Sequence, residues 1–222
     1  MSLKKRKRLI LKGVLQVLAC LFVIAGGIGW FSGFIPPLWI NSSYEMPLGD
    51  LQGIAVDSSD NIYCASQFYH RVQKYDSTGN FLMGFPIDTS GAFRIRINQS
   101  DDLEVATVRD DDYYRFSPDG ELLEKKNDDL YDSFGSQNED QCQGPDSSVY
   151  QIHSRFMFPV VVKTSPKGKK KIVVSTPFKK WIFMGPFPAW FFWMIGVLIV
   201  MYLNKDDLIR RMRRAWSLYQ YE

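Results

Sequence analysis

The residues whose chemistry could bind a metal or catalyse a reaction are few and widely spaced. The 222-residue chain contains two histidines, His70 and His153. Neither lies in a His-x-His or Glu-x-x-His pattern, so they cannot supply a three-histidine metal site. The acids at 101–102 and 110–112 do not alternate along a loop that closes on a glutamate, as a calcium loop requires. No Gly-x-Ser-x-Gly, P-loop or dinucleotide-binding motif is present. We therefore expect no metal, no cofactor and no catalytic residue.

Two cysteines, Cys64 and Cys142, lie outside the long apolar segments of the chain. In an oxidising compartment they could form one disulfide. Cys64 also lies among β-prone apolar residues, where a buried free thiol is common. The sequence leaves both interpretations open.

Two uncharged apolar segments, 13–31 and 181–203, flank a polar central region. Each approaches the ~20 residues that a helix needs to cross a ~30 Å hydrocarbon core. They predict two transmembrane α-helices around an extracytoplasmic domain at 32–180. The stretch 17–20 loosely resembles a lipobox, but the apolar segment continues well past Cys20, which favours an uncleaved anchor.

Charged residues predict the orientation of these helices. Residues 1–12 hold six basic residues and no acid, and basic flanks resist translocation. We therefore expect an integral protein of the plasma or inner membrane with both termini in the cytoplasm. The tail at 204–222 predicts a basic amphipathic helix on anionic headgroups. The residues predicted at the membrane interface are Trp181, Trp190, Trp193, Arg210, Arg211, Arg213, Arg214 and Trp216.

Small residues predict how the two helices pack. Ala25, Gly29 and Gly33 are four residues apart and would form a stripe against the second helix, which contains Gly196. Glycine is also common in membrane helices without any packing role. Pro186 suits the first turn of that second helix.

Charge is distributed unevenly in the central domain. Residues 45–146 hold 21 acids and eight bases, whereas 147–180 hold eight bases and no acid. The negative charge of the first part would repel phosphates, so we expect no nucleic-acid partner. The basic part could pair with the acidic body, which we favour, or approach lipid headgroups.

The central domain contains an internal repeat. Residues 53–65 align without a gap on the chain 41 residues later, so that Asp60 meets Asp101 and, further on, Gly79 meets Gly120. A looser third copy covers 146–150 and 160–168. Each copy alternates short β-prone stretches with turn residues, which in the first copy predicts strands at 54–56, 62–65, 72–75 and 81–85. Four short strands every ~40 residues is the period of a propeller blade.

The first copy resembles an NHL repeat at 53–57, 60–63, 70–76 and 79–82, and departs from that pattern at 64–66. The second copy keeps the tail at 114–122 but has Asp111-Asp112 in place of His70-Arg71. This resemblance implies an all-β domain of about three four-stranded propeller blades that works by binding; a few relatives are enzymes.

Three blades are too few for a closed propeller, which needs at least four. The exposed sheet faces could be covered in three ways. A divergent fourth blade could come from 34–50, the loop at 125–145 could cap an open arc, or another chain could complete the ring. Two copies side by side would make six blades.

These features predict a membrane-anchored binding or scaffold protein, an accessory subunit that recognises a partner protein or an envelope ligand. We expect the lipid bilayer and either a protein partner or a second copy as its partners. The predicted binding residues lie on equivalent loops of the first two copies: Gln67, Phe68, Tyr69, His70, Arg109, Asp111 and Tyr113. The alternatives are a metal-dependent enzyme of the propeller lyase or lactonase kind, and a sensor that signals through its Arg-rich tail.

Overall fold

A computed structural model describes residues 3–31, 43–89, 91–134, 140–153, 159–176, 178–184, 186–205 and 209–210. The chain divides into two compact units, one formed by 1–31 with 187–222 and the other by 32–186. The tail predicted at 204–222 is described only at 204–205 and 209–210, so Arg211, Arg213, Arg214 and Trp216 lie outside the described residues. Of the hypothetical fourth blade, only 43–50 is described, and it forms no strand.

The first unit is a pair of helices, α1 (Leu3–Phe31) and α3 (Pro186–Leu203). Within α1, the segment Ile10–Ile28 is long and apolar enough to cross a membrane, by length and composition alone. The apolar part of α3, Pro188–Leu203, is shorter. The second span predicted at 181–203 stays a prediction. In this stretch the structure describes the end of α2 (Phe178–Met184), which belongs to the other unit, and α3, which begins at Pro186. Proline suits a first turn because its missing N–H needs no partner there.

Small residues join the two helices at the predicted Gly196 and at Gly26, and not at the predicted Ala25. Gly33 and the surroundings of Gly29 lie outside what the structure describes. A Cβ at Gly26 would lie 2.5 Å from the carbonyl oxygen of Ala189, and one at Gly196 would lie 2.8 Å from that of Ala19. Ala25 instead points outward and is exposed. Since Gly26 is one residue from Ala25, the contact face of α1 is rotated by about 100° from the prediction.

The second unit consists of three four-stranded antiparallel sheets. Sheet 1 contains β1–β4, sheet 2 contains β5–β8 and sheet 3 contains β9–β12, as the repeat predicted. The strands are β1 (Leu51–Val56), β2 (Ile62–Ser66), β3 (Arg71–Tyr75), β4 (Phe81–Pro86), β5 (Phe93–Ile97), β6 (Leu103–Thr107), β7 (Asp112–Phe116), β8 (Leu122–Asn127), β9 (Gln141–Gln143), β10 (Val149–His153), β11 (Val160–Thr164) and β12 (Lys170–Ser175).

The first turn of every sheet has the same backbone conformation, which confirms the third, weakest copy of the repeat. Its fourth residue has a positive φ of 66° at Asp60, 63° at Asp101 and 61° at Ser147. In each case the N–H of this residue donates to the carbonyl three residues earlier. Asp tolerates this left-handed conformation better than most residues because its short side chain can hydrogen-bond locally.

The three sheets meet along their innermost strands, because β1 contacts both β5 and β9. One apolar cluster joins sheet 1 to sheet 3, with Cys64 and Tyr75 against Tyr150 and Val161. A second cluster joins the opposite face of sheet 1 to sheet 2. Within the residues described, no third cluster joins sheet 2 to sheet 3. The three sheets therefore fit a propeller-like fold with sheet 1 in the middle.

Candidate functional site

A cavity of the β unit lies where the three innermost strands meet. It has a volume of about 280 Å³, and its walls come from β1, β5, β9 and a short 3₁₀ turn at Asp132–Phe134. The side chains that bring chemistry to it are Gln52, Arg94, Arg96, Phe134, Gln141, Cys142 and Gln143. Guanidinium and amide groups at one opening can bind a carboxylate or an amide.

The two arginines of β5 are held in place by the segment that follows sheet 2. Arg94 stacks on the ring of Tyr131 at 4.0 Å and donates to the Tyr131 carbonyl at 3.1 Å. Arg96 stacks on Phe134 at 4.1 Å and donates to Glu104 at 2.5 Å. A planar guanidinium can stack on an aromatic ring and donate hydrogen bonds from its edge at the same time, as both arginines do here. The segment 131–134 therefore packs on β5. The capping of an open arc by the loop at 125–145 stays a prediction, and residues 135–139 of that loop lie outside the described residues.

The outer face of sheet 2, which points away from sheet 1, is covered by ion pairs. Tyr114 and Phe116 pack in the cluster with sheet 1, so the alternate residue Arg115 lies on the other side. Arg115 reaches Asp102 at 3.5 Å and Glu124 at 3.3 Å. Together with the Arg96–Glu104 pair, these contacts let the face remain open to water.

The outer face of sheet 3 has a different composition. Tyr150 and Ile152 face sheet 1, so Val149 and Gln151 lie on the opposite side. Val149 is 39% exposed, and Ile172 on the edge strand β12 is 58% exposed. Most of the side chains on this face are amide or β-branched, and His153 and Lys170 add a basic group at each end: Gln141, Gln143, Val149, Gln151, His153, Val160, Val162, Thr164, Lys170 and Ile172.

The predicted binding loops lie at one end of the β unit and do not line the cavity. Gln67 donates its backbone N–H to Asp50, and Phe68 packs edge-on against Tyr69 at 4.9 Å. Tyr69 is 1% exposed, so it is a packing residue and has no free surface for a ligand. His70 is half-buried with a positive φ of 47°. Burial lowers the pKa of His70, although a hydrogen bond with the Thr89 backbone opposes this shift.

The second predicted loop has a matching geometry. Arg109 is exposed and its aliphatic part lies over Gly91. Asp111 is exposed with a φ of 49°, equivalent to His70. Tyr113 is 5% exposed beneath Lys126, and burial together with Glu104 raises its pKa to about 12.

The connection between β4 and β5 links these two loops. Thr89, 6% exposed, bonds to His70 through its backbone and donates from its hydroxyl to Asp110 at 2.9 Å. Sequence reasoning identified the two loops as equivalent but missed the residue that joins them.

Cys64 and Cys142 are both free thiols in the cluster between sheets 1 and 3. Burial raises the pKa of Cys142 to about 12, and burial and the neighbouring Cys142 raise the pKa of Cys64 further still. Both thiols are therefore protonated at neutral pH. The described residues contain no group of three or more His, Cys, Asp or Glu that could hold a metal ion.

No protein-family model matches the chain, and no curated protein matches it. Among solved structures it is similar to a streptogramin B lyase and to virginiamycin B lyase from Staphylococcus aureus, each at 10% identity and a TM-score of 0.33. These matches cover 60% of this chain and 43% of the other. A protein of unknown function from Bacteroides caccae matches at 12% identity and a TM-score of 0.29, over 57% of this chain and 45% of the other.

The chain thus spans less than half the length of the structures it resembles. At TM-scores this low we draw nothing about activity or ligand from them. Membership of the NHL family stays a prediction; the observed feature is the set of three four-stranded sheets.

Sequence reasoning missed most of the cavity. One signal was available: β5 reads Phe-Arg-Ile-Arg-Ile, so an innermost strand carries two arginines on one face. The contribution of Phe134 could not be predicted, because no local pattern shows that this turn folds back onto β5.

Proposed function

We propose that this chain is a membrane-anchored binding protein whose β unit accepts an acidic or amide-bearing group in the cavity between β1, β5 and β9. The single observation that carries the proposal is the convergence of Arg94, Arg96 and three glutamines on that cavity. A volume of about 280 Å³ admits a side chain or a small ligand, at the lower end of ordinary ligand pockets.

The proposed anchoring is supported by α1, whose segment Ile10–Ile28 is long and apolar enough to cross a bilayer by length and composition. The basic residues before it favour a cytoplasmic N-terminus, which would place the β unit outside the cytoplasm if α3 forms a second span. In this arrangement protease added from outside should digest the β unit and leave an epitope at the N-terminus intact.

The ligand acts as a bridge to another molecule in this proposal, and the chain serves as an accessory subunit. Arginines held by stacking lose little conformational freedom on binding, which favours affinity for a carboxylate. The cavity opens beside the outer face of sheet 3, since Gln141 and Gln143 belong to both.

The test is the composition of the particle extracted from native membranes in mild detergent. Gln143, exposed at the rim of the cavity, is replaced by Trp to fill it; Leu123→Trp on the exposed edge strand β8 is the matched control. We expect a co-purifying protein or small molecule that Gln143→Trp loses and Leu123→Trp keeps. A wild-type particle that contains this chain alone, with no bound small molecule, would overturn the proposal.

A further inference from the structure

The two outer faces of the β unit differ in how their polar groups are satisfied. On sheet 2 the charged side chains pair with one another, and Tyr131 and Phe134 cover the arginines nearest the cavity. On sheet 3 the amide side chains of Gln141 and Gln151 lie beside exposed valine and isoleucine. No ion pair crosses that face in the part of the chain that the structure describes.

A group of lysines borders the sheet 3 face. Part of the basic segment does pair with the acidic body, as we favoured: Lys163 reaches Asp60 at 2.6 Å, and Lys180 reaches Glu45 at 2.5 Å. Four lysines at the β11–β12 turn and the start of β12 are exposed and form no ion pair with any described residue: Lys167, Lys169, Lys170 and Lys171. Lys179 on α2 is exposed and unpaired in the same way. In sheet 2 the positions equivalent to Lys167 and Lys169 carry the acids Asp119 and Glu121.

We propose that the outer face of sheet 3, with its lysine border, docks an extended acidic segment of a partner protein. This inference rests on the proposed binding function and names the chemistry of the partner. Glutamine side chains can donate to and accept from the backbone of an extended chain, while Val149 and Ile172 contact its apolar side chains. The unpaired lysines select acidic residues and speed association.

A polypeptide fits these observations better than a bilayer does. The lysines lie at the β11–β12 turn and the start of β12, whereas α2 follows the opposite end of that strand. Six residues of strand extend for about 20 Å. The tryptophan of α2 predicts that this helix lies at the bilayer surface. In that case the length of β12 separates the lysines from the lipid headgroups.

The experiment uses the full chain in nanodiscs of neutral lipid and a fluorescent eight-residue peptide that alternates Glu and Val. We expect the peptide to bind, and its affinity to fall as the salt concentration rises. In the double variant Lys169→Gln/Lys170→Gln we expect the affinity to fall roughly tenfold. The control variant Ser59→Glu/Ser77→Glu changes the net charge by the same amount on exposed turns of sheet 1 and should bind normally. A peptide with Lys in place of Glu should not bind.

Ile172→Asn supplies a second test that does not depend on charge. The Ile172 side chain is 58% exposed, so its replacement should leave the fold intact. The affinity for the peptide should fall several-fold. Circular dichroism of each variant checks that the sheets persist.

Three outcomes would overturn the inference. The peptide could fail to bind, or it could bind equally to the lysine and isoleucine variants. Alternatively, the chain could ignore the peptide and bind vesicles that contain one-third phosphatidylglycerol through the same lysines, which would identify a lipid surface. Loss of peptide binding in Gln143→Trp, with the lysine variants unaffected, would support the cavity and contradict this surface. If no partner or small molecule depends on the cavity but the peptide still binds through the lysines and Ile172, the sheet 3 inference holds and the cavity proposal does not.

Discussion

The interfaces between the sheets contrast with the two faces at the ends of the arc. Between sheets 1 and 3, a tyrosine and a lysine that are paired across two strands reach an aspartate in the first turn of the next sheet. Tyr150 and Lys163 of sheet 3 bond to Asp60 of sheet 1 at 2.7 and 2.6 Å. We call this three-residue contact the inter-sheet lock.

The equivalent tyrosine and lysine between sheets 1 and 2 make different contacts. Tyr63, which pairs with Lys74 across the strands, donates to Asp57 of its own sheet at 3.2 Å. The Lys74 ammonium lies 3.6 Å from Asp57 and donates to the Pro118 carbonyl of sheet 2 at 3.0 Å. Asp101, equivalent to Asp60, accepts from the Ser58 backbone N–H at 2.9 Å. Polar contacts thus cross both internal interfaces, but the lock itself is formed between sheets 1 and 3.

Neither end of the arc retains the lock. In sheet 2 the equivalent tyrosine and lysine are Glu104 and Arg115, which pair within their own sheet. In sheet 3 the equivalent of Asp60 is Ser147, which has no carboxylate. This resembles the polar outer faces of the terminal units in repeat proteins. The difference favours an open three-sheet arc over ring closure by a second copy.

The largest expected effect comes from the glycine of the second turn, which exists in three copies. A Cβ at Gly79 would overlap the Val173 carbonyl of sheet 3, where backbone cannot move aside, and its φ of 94° adds strain. We expect Gly79→Ala to destabilise the β unit by about 3 kcal/mol. Urea unfolding of the full chain in detergent, followed by pulsed labelling of the buried Cys64 thiol, measures this.

The other two copies are the matched controls. At Gly120 (φ 91°) the nearest atom is the flexible Met83 sulfur at 3.1 Å, so Ala should cost about 1–2 kcal/mol. A Cβ at Gly168 (φ 78°) would have nothing within 4 Å. Gly168→Ala should therefore lower the free energy of unfolding by about 1 kcal/mol through backbone strain alone. Equal losses at all three positions would mean that the internal interfaces are not tighter than the end.

The second effect tests the lock directly. Asp60→Asn keeps the left-handed turn but removes the charge that Lys163 and Tyr150 share, and both partners are largely buried. We expect a loss of about 2 kcal/mol, because hydrogen bonds to charged groups are worth more than neutral ones. The same urea experiment applies.

Two equivalent substitutions calibrate that result. Asp101→Asn weakens only the contact with exposed Ser58, so it should cost less than about 1 kcal/mol. Ser147→Asn at the end of the arc should be close to neutral. The comparison fails if Ser147→Asn costs as much as Asp60→Asn.

A third prediction concerns why the end faces are polar. Gln151 and Thr164 occupy the positions of Cys64 and Tyr75, which are core residues in sheet 1. The double variant Gln151→Val/Thr164→Tyr should change the free energy of unfolding by only about 0.5 kcal/mol, yet make the chain self-associate through a new apolar patch. Sedimentation in detergent at two concentrations detects this, and a variant that stays monomeric would contradict it.

The sequence predicted the strands of the middle sheet, but it did not predict how the end sheets differ from it. The alternation of apolar residues and turns predicted all four strands of sheet 1 because each position repeats a local pattern. Glu104 of sheet 2 stands at the repeat position of Tyr63 in sheet 1. The reason for this difference is visible only in the tertiary structure, because it depends on whether another sheet packs against that position. The rotation of the contact face from Ala25 to Gly26 was missed for the same reason, since both residues are small.

The smallest predicted effect compares the two equivalent loops at His70 and Asp111. His70 is half-buried against the connection that joins sheets 1 and 2, whereas Asp111 is exposed at the end of the arc. Burial lowers the folded-state pKa of His70 below 6.5, so the unfolded chain binds the extra proton first as pH falls. Stability linked to this group is complete above about pH 6.5 and is lost as the pH decreases through that value and below. His70→Asn, which tolerates the φ of 47°, should flatten the dependence of unfolding free energy on pH between about 6.5 and 5. Asp111→Asn should leave that slope unchanged, and an equal slope in the wild-type chain and His70→Asn would show that the acid sensitivity arises elsewhere.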